Sequence, residues 1–179
     1  MSSGNGDLAV PVGPRDHVRG PEGAAITLVE YGDYECSYCG QAFPIIKELQ
    51  RRFTGTLRFV FRNLPLAEVH PHAERAAEAA EAVGIQGKFW EMHDLLYQHQ
   101  DDLTDRALMA YAEQAGADVD EVVSLLALGG TRQRVQDDVS GAIRSGVNGT
   151  PSFFVNGARY DGSWALEPFS EHLQEVLAR

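Results

Sequence analysis

The chain has 179 residues, 44% hydrophobic and 23% charged, with 26 acidic residues against 15 Lys and Arg and a formal net charge of −11. That length and balance describe a soluble globular protein that can bury a core without cross-links. The acidic excess excludes nucleic acid and anionic membrane surfaces as partners, because both would be approached against like charge, and no apolar run nears the roughly 18 residues of a membrane span.

Residues 1–23 are rich in Gly, Pro and charge, show no periodicity, and read as an irregular lead-in. They lack the basic start and apolar run of a secretory signal, so a cytoplasmic location is expected, or an exported one if a leader has been removed. Residues 26–31 are β-branched and apolar, the pattern of a buried strand, and a turn at Gly32-Asp33 leads into a helix. Phe43, Ile45, Ile46, Leu49 and Phe53 recur at helical spacing, placing that helix from Cys36 to about residue 52. Gly55 ends it, and residues 56–62 alternate as a second strand, so residues 24–66 form a βαβ unit. Residues 67–146 then carry helical patterns at 70–83 (with Pro71 in the first turn), 88–98, 104–114 (capped by Thr104), 118–128 and 131–144. Residues 147–179 return to strand at 152–155, turn at Asn156-Gly157, pair a short strand near Arg159-Tyr160, and close on a helix over 166–177. The expected fold class is α/β with an inserted all-helical subdomain.

Both cysteines lie in the stretch Asp33-Tyr-Glu-Cys36-Ser-Tyr-Cys39-Gly40. A structural zinc site needs four ligands, and no second cysteine pair exists; His70 and His72, separated by Pro71, point apart, so no metal is expected. A structural disulfide across so short a loop would constrain the unfolded chain little. Redox chemistry fits the location: a thiol on the first turn of a helix faces free N–H groups that stabilise a thiolate, bringing its pKa from about 8.5 towards about 3.5–7.5. Cys36 is then the nucleophile, and Cys39, one turn along, resolves the mixed disulfide. Glu30, inside an apolar strand, must be paired, wet or functional. His70, His72, His93 and His99 are expected at helix caps or on the surface, and the Ala/Glu stripe at 73–82 in helix packing and solubility.

From about Asp16 onward the chain resembles the DsbA-like members of the thioredoxin superfamily. The resemblance rests on Cys36-Ser-Tyr-Cys39 after the first core strand, Glu30 six positions before it, Pro44 five after it, and the late Gly149-Thr150-Pro151-Ser152 segment. The helical insertion and the segments Phe61-Arg-Asn-Leu-Pro65-Leu66 and Gly87-Lys-Phe-Trp-Glu-Met-His93 support it. It implies a thioredoxin fold and a thiol:disulfide oxidoreductase acting on protein dithiols or disulfides, with no cofactor beyond a redox-active Cys36–Cys39 disulfide. It also implies that Glu30 accepts the Cys39 proton through buried water, and that Thr150, a cis Pro151 and Tyr38 hold substrate. An unidentified redox partner recycles the pair, and a monomer is expected.

Ser37 and Tyr38 replace the histidine that strongly oxidising DsbA-type enzymes carry between the cysteines. Asp33 and Glu35, just before Cys36, are expected to push its pKa up by like charge, giving a less oxidising enzyme. The alternatives are a kappa-type glutathione transferase or isomerase, which does not need Cys39, and a client-binding module with a vestigial pair.

Overall fold

The computed structural model describes residues 6–179, so residues 1–5 of the expected lead-in lie outside the described residues. One mixed sheet runs in the order β1-β3-β2-β4-β5, with β1 at His17–Arg19, β2 at Ile26–Gly32, β3 at Leu57–Asn63, β4 at Ser152–Val155 and β5 at Ala158–Tyr160. β2 and β3 are parallel and joined through helix α1 (Ser37–Arg52); every other pairing is antiparallel. The Asn156-Gly157 turn between β4 and β5 has both residues at positive φ, 49° and 85°, the backbone a two-residue hairpin needs to match strand twist.

The central strands are buried on both faces, which explains their near-continuous apolar runs. Leu28, Phe59, Phe61, Phe153 and Val155 pack towards α1 and the closing helix α7 (Leu166–Leu177), while Val29, Tyr31, Val60 and Phe154 pack towards α6 (Arg132–Arg144) and the N-terminal segment. Strand alternation puts Glu30 on the α1 side, beneath the cysteines. The inserted helices α2 (Ala73–Ile85), α3 (Phe89–Gln98), α4 (Asp105–Gln114) and α5 (Val119–Ala127) extend the larger core. Thr104 Oγ1 accepts from Ala107 N and Asp118 Oδ1 from Glu121 N, capping α4 and α5. Thr104→Ala should therefore cost about 1 kcal/mol in urea denaturation, with activity unchanged.

The described part of the lead-in is more ordered than its composition implies. Val18 pairs with Val60 in β1, the His17 ring stacks 3.5 Å from Phe89, and Trp90 Nε1 donates to Val18 O. Buried Arg62 pairs with Asp16 and donates to the Val10 and Pro11 carbonyls. These partners lie 42 to 72 positions away in sequence, which is why no local pattern announces β1. The Ala/Glu stripe of α2 is also more than a solvated face, because Glu78 and Glu81 are buried: Glu81 meets His17 and Asn63, and Glu78 meets Arg132. Finally, α2 starts at Ala73 rather than near 70, because His70 and His72 are drawn into the loop ahead of α1.

Candidate active site

Cys36 is the N-cap of α1, its backbone extended at φ −72°, ψ 122°. Its sulfur therefore sits where the unsatisfied first-turn N–H groups converge. The thiol is pulled down from 9.0 to about 5, first by the hydrogen bond that Cys39 donates to it; burial opposes this, and the Thr150 hydroxyl and the N–H groups of Cys39 and Tyr38 assist. The Cys36 sulfur also lies 3.6 Å from the Thr150 carbonyl. The Thr150 hydroxyl is buried and has no hydrogen-bond partner among the described residues, which leaves its donor available to the sulfur. Cys39 is 0% exposed against 5% for Cys36, and burial, its bond to Cys36 and the Glu30 charge push its pKa far up. Both cysteines are free thiols in this structure. The two thiols are thus unlike, with the Cys36 pKa drawn down and the Cys39 pKa pushed up.

Glu30 is 3% exposed, between Phe61 and Phe153 on the neighbouring strands. Burial and then the Cys36 charge push its carboxyl up to about 8, so it is protonated at neutral pH. Thr150-Pro151 is a cis peptide, and Tyr38, between the cysteines, is 61% exposed. Pro44 lies inside α1, where it cannot donate to the Gly40 carbonyl.

The acidic flank behaves differently from the sequence expectation. Asp33 is buried and both its oxygens are engaged: Oδ1 takes the Glu35 N–H, and Oδ2 takes the Leu66 N–H and pairs with His70 Nδ1, each at 2.8 Å. Glu35 accepts from the His72 N–H at 2.7 Å and pairs with His72 Nδ1 at 2.9 Å. Each carboxylate is engaged locally, and the Cys36 pKa falls instead of rising. His72 is the exposed N-cap residue of α2, as expected, though it caps without its side chain, which pairs with Glu35 instead; His70 is half-buried against Asp33.

Other contributors carry no sequence signature. Gln100 Nε2 donates to the Tyr34 and Cys36 carbonyls at 2.8 and 2.9 Å, fixing the loop from the helical side. A Cβ on Gly40 would come within 1.9 Å of the Gln100 side chain, so position 40 must be glycine for this clamp to form. His93 is buried rather than superficial, its Nδ1 2.9 Å from the Tyr34 hydroxyl and its pKa far down through burial. The sequence segment around His93 marked a resemblance, but a long-range partner such as Tyr34 leaves no spacing to read.

A thioredoxin family profile matches residues 13–175. The Na(+)/H(+) antiporter NhaA 1 of Salinispora arenicola is 52% identical over 179 residues, covering 99% of this chain and 27% of that protein. The chain thus spans about a quarter of the length of the curated relatives it matches. Among solved structures, oxidised BdbD from Bacillus subtilis superposes with a TM-score of 0.83 at 24% identity, covering 90% of this chain and 92% of that one. A thioredoxin-like oxidoreductase from Silicibacter pomeroyi gives 0.82 at 24% identity, with 93% and 95% covered. No helix among the described residues is long and apolar enough to cross a membrane. With its thiol pair on this fold, the chain belongs to the thioredoxin family.

Proposed function

We propose that Cys36 is the sulfur that attacks, or is attacked by, a protein substrate, and that Cys39 resolves the mixed disulfide. The observation that carries this is the asymmetry of the pair: Cys36 caps a helix at the rim beside Thr150, and Cys39 is fully enclosed. Only one sulfur can meet a macromolecule, and that sulfur is the better leaving group. Glu30 lies on the buried side of the pair; once a mixed disulfide removes the Cys36 charge that helps to keep its carboxyl protonated, the carboxylate form gains population and accepts the Cys39 proton as Cys39 becomes a nucleophile. Thr150, Pro151 and the exposed Tyr38 ring present backbone and apolar contacts to the substrate chain around Cys36.

Cys39→Ser should accumulate mixed disulfides between Cys36 and protein partners, visible on non-reducing gels and by mass, while Cys36→Ser accumulates none. Equal trapping by both variants would end the assignment. A kappa-type transferase would keep its full turnover with Cys39→Ser, and a client-binding module would bind equally before and after alkylation.

The cytoplasmic placement gains no support from the fold or from the comparisons. A thiolate this stabilised favours the reduced enzyme and hence donation of its disulfide, chemistry suited to an exported, oxidising compartment. We attribute to this chain the exchange chemistry and not the ion transport of its longer relatives' name, because the thiol site is built within the matched residues.

A further inference from the structure

We propose that His70, seated on the Asp33 carboxylate, is a positioning residue that supplies the cationic charge beside Cys36 which the Ser37-Tyr38 dipeptide lacks. The geometry is short and connected. His70 Nδ1 is 2.8 Å from Asp33 Oδ2, and the Asp33 carbonyl accepts the Cys36 N–H at 3.2 Å, so the imidazole is joined through Asp33 to the backbone of Cys36. Asp33 is fully enclosed, whereas the His70 side chain is 24% exposed, close enough to water to take up a proton and too constrained to leave its partner. Asp33 in turn accepts from the Leu66 and Glu35 N–H groups, which fix the carboxylate against which the ring sits.

The charged groups facing His70 are Asp33, Glu35 and Cys36 from the loop that opens α1, with His72 on its own segment. Burial alone would lower the His70 pKa; the hydrogen bond and charge of Asp33, then the charges of Cys36 and Glu35, reverse this and raise it. Asp33 and Glu35 are present whatever the redox state. Only the Cys36 charge appears and disappears as the disulfide opens and closes. Coupling is reciprocal: if the thiolate favours the imidazolium, the imidazolium favours the thiolate and so the reduced form, making the enzyme a stronger oxidant. The reaction it biases is enzyme disulfide plus two glutathione thiols giving Cys36 thiolate, Cys39 thiol, glutathione disulfide and one released proton.

This inference rests on Cys36 being the ionised, attacking sulfur, and two measurements separate the two claims. In the wild-type protein, the His70 ring resonances should titrate at a higher pH in the dithiol state than in the disulfide state. Identical midpoints would overturn the inference. His70→Asn keeps a donor near the Nδ1 position and removes the charge. At pH 6 it should raise the Cys36 thiolate midpoint, read from thiolate absorbance, and weaken oxidation of glutathione by about threefold or more. His70→Lys, which restores a cation, should recover most of that loss. A folded Asn variant with unchanged midpoint and unchanged glutathione equilibrium would show that His70 only braces the loop. Absence of any low-pH thiolate in the wild type would instead remove the Cys36 assignment itself.

Discussion

Cys36→Ser should reduce disulfide exchange by at least about a thousandfold, to the uncatalysed background, because a serine hydroxyl neither ionises at neutral pH nor forms a disulfide. The same variant should lose the thiolate absorbance that wild-type dithiol protein shows above pH 5, since that signal belongs to a thiol brought down from 9.0 to about 5. The effect on stability has a definite sign. A depressed pKa contributes stability that is full above about 9 and is lost as pH falls through about 5, so the dithiol form gains on the disulfide form as pH rises across that window. Denaturation of both redox forms at pH 4.5 and 7.5 checks this. A dithiol form that gains nothing over that interval would mean that Cys36 titrates like an ordinary thiol. Retention of exchange by Cys36→Ser would move the chemistry off this pair altogether.

Glu30→Gln should stabilise the protein and slow it. In the unfolded chain the carboxyl ionises near 4.5; in the folded dithiol protein burial holds it up to about 8. Across that interval the native state keeps a proton that the unfolded chain has released, so stability falls as pH rises, by about 3 kcal/mol on reaching pH 7. The amide has no proton to lose and escapes this slope. The variant should match the wild type near pH 4.5 and exceed it by about 4 kcal/mol at pH 8 in urea denaturation. Resolution by Cys39, whose thiol needs a nearby proton acceptor, should slow by about ten- to a hundredfold, read as prolonged mixed disulfide in rapid-quench experiments. A variant less stable than wild type at pH 8 would mean that Glu30 is ionised and paired in the native state, and that the acid–base role belongs elsewhere.

What the sequence made legible follows from how far each feature's cause lies along the chain. The hairpin at Asn156-Gly157, the Thr104 cap and the α7 stripe arise from neighbours within one or two turns, and each stands where its pattern places it. The thiol pair was legible for the same reason, since a strand, a turn and a helix N-terminus are local. β1 was not, because its three residues carry no periodicity and are held by β3 and by Phe89 and Trp90. The acidic flank was misread for a related reason. Like charge next to Cys36 is visible in Asp33-Tyr-Glu35, but the imidazoles that engage those carboxylates come from 37 positions downstream. His93 shows the complementary error: a polar residue judged by its type is assigned to the surface, although Tyr34 partners it inside the core.

The thiol pair lies in the first quarter of the chain, yet the residue beside its reactive sulfur is 114 positions further on, with the whole helical insertion between them. β4, which carries that residue's loop, pairs with β2, the strand that leads into the cysteines. A growing polypeptide emerging N-terminus first therefore exposes Cys36 and Cys39 before Thr150 is synthesised, and the site is complete only once the late hairpin has joined the sheet.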